Sequence, residues 1–247
     1  TIMSRLLGLV RDVLFFTCFG VSAVGSAFIL AFTIPNLFRR MLGEGTLSSA
    51  FIPVYSETEK KHSLVEAHTI LNQVLTRLLI FLIFLSLVIC IFSGLISEYQ
   101  MNLELKWANG LLLNSIIFPY VLFICVSAIM VGALQVHGKF FAGAFSPIIL
   151  NLFMISCLLI SYFHLGWRDF ELAVALCIAV LVGGVFQMAW PWIQLRMGNS
   201  WKWKFDLSSS VGTEKIKGLF FVGFFGAAVG QINIMAVSYT HLRAHET

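Results

Sequence analysis

The sequence predicts an all-α polytopic membrane protein, and three observations carry that reading. Of 247 residues, 59% are hydrophobic and 11% charged, less than half the roughly 25% charge of a soluble domain. Mean hydropathy is +0.91. Five stretches, 78–97, 107–136, 140–163, 172–195 and 218–238, contain no Asp, Glu, Lys or Arg. Each reaches the roughly 20 apolar residues that a helix needs to cross a bilayer, and all are too long for the roughly ten-residue strands of a membrane β-barrel. This composition excludes a soluble cytosolic enzyme, a disordered chain and a secreted disulfide scaffold. Cys18, Cys90, Cys125, Cys157 and Cys177 lie in apolar stretches without C-x-x-C or metal spacing, and read as small helix fillers.

The first 56 residues admit two readings. Hydropathy alone favours one span over 13–38, with Arg39 and Arg40 opening a loop. The alternative is two spans: about 2–19, containing Arg5, Arg11 and Asp12, then a turn over Gly20–Gly25, then about 24–56, containing Pro35, Arg39, Arg40, Glu44 and Pro53. At about 100° per residue, Thr33, Asn36, Arg39, Arg40, Gly43 and Glu44 fall on one side of a helix. Ile34, Leu37, Phe38, Met41 and Leu42 fall on the other. A solvated loop has no reason to hold that stripe, which favours two spans; a helix lying on the membrane surface would also show it.

Four further spans follow at about 69–97, 107–136, 140–163 and 171–195, so that 1–197 form a six-helix unit. A polar loop covers 198–217, and a seventh helix begins at 218–238. Residues 239–247 turn abruptly polar and resemble a translated sequencing-adapter read-through, so they are set aside. Because residue 1 is Thr, the chain is expected to begin inside a longer reading frame and to end within its seventh helix.

Loops 57–68, 137–142 and 196–217 hold eight Lys or Arg, whereas 98–106 and 164–171 hold two, Lys106 and Arg168. This positive-inside bias puts the first set, and with two early spans the N-terminus, on the cytoplasmic face. The basic and aromatic run Trp201-Lys202-Trp203-Lys204 reads as a juxtamembrane segment against anionic lipid, not as a nucleic-acid interface.

The charges within the first two spans ask for a reason. A charged side chain at the centre of a membrane helix costs about 2.5 to 3.5 kcal/mol. Six facing lipid would cost roughly 15 to 20 kcal/mol, beyond a typical stability margin. They must face protein or a wet cavity, although Arg5, near its helix start, can reach the headgroups. Arg40 and Glu44 are i,i+4 neighbours; Arg5 and Asp12, i,i+7, share a face, and Arg11 points about 120° away from Arg5. At least two guanidiniums lack an acid from their own helix. The remaining acids all lie in or near loops. An Arg cluster of that kind suits an anion, and a diphosphate matches guanidinium in charge and geometry.

Other polar residues have plainer readings. Arg77 reads as interfacial snorkelling, and Asn114, Asn151 and Gln187 as interhelical hydrogen-bonding residues. Pro119, Pro147, Gly132, Gly183 and Gly184 read as kink and close-packing positions. His62, His68, His137 and His164 form no ligand set.

The run Ser4-Arg5-Leu6-Leu7-Gly8-Leu9-Val10-Arg11-Asp12 resembles the opening helix of the MurJ/MviN lipid II flippases. The run from Ile34-Pro35-Asn36-Leu37-Phe38-Arg39-Arg40 through Glu44-Gly45 to Ala50-Phe51-Ile52-Pro53 resembles that family's second-helix signature. Weaker similarity continues through Phe118-Pro119-Tyr120, Ala144-Phe145-Ser146-Pro147 and Val182-Gly183-Gly184. The resemblance implies the N-terminal six-helix lobe of an exporter-superfamily flippase plus part of a seventh helix. It implies a bacterial inner-membrane protein that moves an undecaprenyl-diphosphate-linked peptidoglycan precursor to the periplasmic leaflet by alternating access. The family's cavity arginines correspond to Arg5, Arg11 and Arg39, and its acidic partners to Asp12 and Glu44. Arg40, Ser26 and Asn36 join the salt-bridge and gating set; Ser26 stands where many members carry Asp, which weakens a gate role there. No cofactor is implied, and transport would be coupled to membrane potential or an ion gradient. Partners would be the diphosphate lipid, membrane lipids and the cell-wall synthesis machinery. Two alternatives are an exporter of another lipid-linked oligosaccharide and a membrane-embedded lipid-diphosphate enzyme. The enzyme needs a base or metal-binding carboxylates that this sequence supplies sparsely.

Overall fold

A computed structural model describes residues 2–39, 45–99, 105–223 and 225–226. The helices are α1 (Ile2–Phe19), α2 (Ala23–Phe38), α3 (Thr46–Lys61), α4 (Leu64–Tyr99), α5 (Leu105–Ile117), α6 (Tyr120–Val136), α7 (Phe141–Leu158) and α8 (Asp169–Asn199). A π-helical turn, Leu159–His164, extends α7. A further helix, α9, covers 211–223. No strand occurs among the described residues. Arg40, Glu44, the tail 239–247 and most of the seventh span lie outside the described residues.

The early segment forms separate helices α1 and α2, not one helix over 13–38; the second span expected over about 24–56 is described as α2 to Phe38 and α3 over Thr46–Lys61, with 40–44 outside the described residues. The separation is local chemistry. Gly20 takes φ +56°, a conformation costly for residues with a Cβ. Ser22 then caps α2, its Oγ accepting from the Gly25 N–H at 3.0 Å. Gly138 ends α6 in the same left-handed region, φ +72°. Pro119 leaves α5 and α6 bent by 46° to one another.

By length and apolar composition, Leu64–Ile96, Phe141–His164 and Asp169–Gly198 can each cross a membrane, and the bent α5–α6 pair makes a fourth span if taken together. In lipid a helix satisfies its own backbone, which is why such segments hold this one form. α1 carries three charged residues in 18, and α2 has 16 residues; both lean on their neighbours, α1 on α7 and α2 on α5.

Close helix contacts use small residues. A Cβ at Gly184 would sit 2.7 Å from Cδ2 of Tyr120, and one at Gly183 would sit 3.4 Å from Leu150. The adjacent glycines let α8 settle between α6 and α7. Gly132 likewise faces Ile52 of α3, 3.3 Å from a built Cβ. The core between them includes Phe28, Phe51, Tyr55, Leu113, Phe118 and Met130, all at most 2% exposed.

The stretch read as loop 198–217 is shorter and more ordered than the sequence suggested. α8 runs to Asn199, and α9 starts at 211. Ser210 and Thr213 cap α9 reciprocally: the Ser210 N–H donates to Thr213 Oγ1 at 2.9 Å, and the Thr213 N–H donates to Ser210 Oγ at 3.3 Å. The intervening residues lie on a polar face of α4. Trp201 is 1% exposed, and its indole N–H donates to Asn72 Oδ1 at 3.0 Å. Gln73 Nε2 donates to Asp206 Oδ2 (3.2 Å) and Ser208 Oγ (2.9 Å). Arg77 donates to the carbonyls of Leu207 (3.2 Å) and Ser208 (2.8 Å). Arg77 therefore holds a strap and is not a snorkelling residue, and Trp201 is a core residue and not an interfacial one. Lys202, Trp203 and Lys204 remain exposed.

Candidate functional site

Between α1, α2, α6, α7 and α8 lies a cavity of about 480 Å³. Arg11 reaches it from α1, and Thr33, Asn36 and Arg39 from α2 and its end; Tyr120, Ser146, Asn151 and Gln187 complete the described polar lining. A second cavity of about 460 Å³ shares Arg39, Ile124, Gly143 and Ser146 with the first and adds Ser48, Ser49, Ser127 and Gln135. Arg39 thus stands at the junction of two chambers. Among the described residues, neither lining contains Asp, Glu or His.

Arg11 is held on two sides. Its Nε (3.0 Å) and Nη2 (2.7 Å) both donate to Asp12 Oδ1, and Nη1 donates to Asn151 Oδ1 at 3.0 Å. The sequence pairs Asp12 by face with Arg5; the structure pairs it with its chain neighbour Arg11. Arg39 Nε donates to Asn36 Oδ1 at 3.4 Å, while Asn36 Nδ2 donates to the Phe32 carbonyl at 3.1 Å.

The other site residues divide. Arg5 is exposed on the first turns of α1 and is absent from both linings. Asp12 is absent from both linings, its side chain 55% exposed. Ser26 lies in the first turn of α2, where its N–H donates to the Ser22 carbonyl at 3.1 Å, and it does not line the cavity. The structure therefore brings together Arg11, Arg39 and Asn36, with Asp12 attached through Arg11.

Two residues whose sequence context points only to interhelical bridges belong to the lining. Asn151 is one. Gln187 is the other: it accepts from Tyr120 Oη at 3.1 Å and donates to the Ser146 carbonyl (2.7 Å) and Oγ (3.0 Å). Their partners are 140 and 67 or 41 residues away, so no local spacing announces them.

Such a chamber suits an anion. It offers fixed, permanently charged donors, hydroxyls and amides, with apolar walls that weaken solvent screening. Among the described residues, no set of three or more His, Cys, Asp or Glu is placed to hold a metal.

A family profile described as lipid II flippase MurJ matches residues 15–239. A probable lipid II flippase MurJ of Vibrio cholerae is 31% identical over 256 residues, covering 97% of this chain and 47% of that protein. The lipid II flippase MurJ of Burkholderia cenocepacia is 33% identical over 196 residues, covering 76% and 36%. A solved structure of lipid II flippase MurJ in an inward closed conformation superposes with TM-score 0.73 at 28% identity, over 95% of this chain and 48% of that one. The chain spans about half the length of these relatives.

Proposed function

The chain belongs to the lipid II flippase MurJ family, and from that premise we propose that its cavity holds the diphosphate of a lipid-linked peptidoglycan precursor while the headgroup crosses the membrane. With its long apolar helices it is a membrane protein. In this reading Arg11 and Arg39 grip the diphosphate, and Arg5, exposed at the start of α1, meets the anion as it approaches. Asp12, Arg40 and Glu44 tune the surrounding charge, and Asn36 and Ser26 complete the gating set. The lipid tail stays in the bilayer, and alternating access carries the headgroup to the opposite face, driven by membrane potential or an ion gradient. The location is the bacterial inner membrane with the N-terminus cytoplasmic, on the strength of the loop-charge bias. Cell-wall synthesis enzymes would supply and consume the cargo. An enzymatic role finds less support, since among the described residues neither chamber lining offers an acid or a histidine.

One observation carries the proposal: two arginines from separate helices, Arg11 and Arg39, line one chamber. The test is Arg39→Ala in the full-length protein, reconstituted in proteoliposomes with fluorescent undecaprenyl-diphosphate-linked headgroup. Translocation is expected to fall at least about a hundredfold, in line with removing a charge-assisted anion contact. Unchanged translocation refutes the reading.

A further inference from the structure

We propose that Asn151 is a positioning residue: it fixes the Arg11 guanidinium so that its remaining donors meet the anion. The inference rests on the diphosphate reading above and deepens it. Asn151 lies on α7, four residues after Pro147, and is 5% exposed. Its amide bridges two groups with opposite needs. Oδ1 accepts from Arg11 Nη1 at 3.0 Å, and Nδ2 donates to the Ser4 carbonyl at 3.2 Å. Guanidinium can only donate and a carbonyl can only accept, so both partners fix the same amide orientation. The amide lies beside Gly8, one turn from each partner.

Only an amide performs both tasks without adding charge. Leucine would leave the Ser4 carbonyl and one Arg11 N–H without these partners. Aspartate would keep the bond to Arg11, but would face a carbonyl with a carboxylate and place a second negative charge on the guanidinium. Asp12 already engages Nε and one Nη2 hydrogen, and Asn151 one Nη1 hydrogen. Of the five guanidinium donors this leaves two, one on each Nη. Clamped from α1 and α7 together, the stem gives up its rotamer freedom before the ligand arrives, so less affinity is lost to ordering it.

The experiment titrates undecaprenyl diphosphate against the full-length protein in nanodiscs, with Arg11→Gln, Asn151→Leu, Asn151→Asp and the double variant Arg11→Gln/Asn151→Leu. Asn151→Leu is expected to weaken binding about tenfold, and the double variant to bind no worse than Arg11→Gln alone, because Asn151 acts through Arg11. Asn151→Asp, which keeps the size and the Arg11 bond and guards against misfolding of the leucine variant, is also expected to weaken binding about tenfold with near-native thermal unfolding. If Arg11→Gln weakens binding while Asn151→Asp binds as the parent does, or if the losses in the double variant add, the positioning role is overturned and the diphosphate reading stands. If Arg11→Gln binds like the parent, the diphosphate reading itself falls and takes this inference with it.

Discussion

Arg77 and Arg11 both sit on apolar helices, and their guanidiniums end in different company. Arg77 is spent on the backbone, donating to the carbonyls of Gln73, Leu207 and Ser208. Around it Asn72, Gln73 and Thr76 bond the same strap, so one stripe of α4 is consumed in holding 201–210. Arg11 is supported by two side chains, Asp12 and Asn151, and turns toward a cavity with donors to spare. A charge closed on carbonyls has done its work once the chain is folded. A charge propped by side chains beside an open chamber is arranged for something that arrives later. Charge and burial do not separate the two cases; the partner's identity does.

The comparison can be broken at either end, and the strap gives the largest expected effect. Trp201→Ala removes a buried indole and leaves Asn72 Oδ1 without its donor. It should cost about 3 to 5 kcal/mol, read by chemical or thermal unfolding in detergent, while affinity for undecaprenyl diphosphate in the folded fraction stays within about twofold. Arg11→Gln should do the reverse, weakening that affinity by about ten- to a hundredfold with a melting temperature close to the parent's. Equal losses of affinity in Arg77→Gln and Arg11→Gln would erase the distinction. Between these lies Gly184→Ala: its new methyl meets the Tyr120 ring, so α6 and α8 must part at about 1 to 3 kcal/mol, measurable as lowered thermal stability.

The smallest effect tests how α9 docks. Glu57 accepts from Lys215 at 2.6 Å and from Lys61 at 2.8 Å. Those bonds, Lys215 first, pull its carboxyl from 4.5 down to about 2. Because the folded value is the lower one, the contribution is present above 4.5 and is lost as pH falls through about 2. Amide exchange over 211–223, corrected for intrinsic rates, should therefore quicken across that window, by about twofold at an exposed pair. Glu57→Gln should remove the pH dependence; an unchanged profile would show that the pair does not secure α9.

Much of the fold was legible because lipid leaves few choices. The long apolar runs around α4, α6, α7 and α8 needed only length and absence of charge. The stripe Thr33–Asn36–Arg39 identified a polar helix face, and Asn36 and Arg39 do line the chamber. What escaped were the relations between distant segments. The composition of 198–217 alone gives a polar loop, with 201–204 against lipid; the polar face of α4 that receives it is 130 residues away. Arg5 and Arg11 look alike in the sequence, yet the exposed first turns of α1 keep Arg5 off the lining.

The sequence by itself determined a helical membrane protein with too many cations early in the chain, since burying charge in hydrocarbon is costly however the helices pack. Tertiary structure alone decided which cation faces a chamber and which is closed off. Hydrogen bonds act within about 3 Å, and the partners that decide, Asn151 for Arg11 and Ser208 for Arg77, lie 140 and 131 residues along the chain.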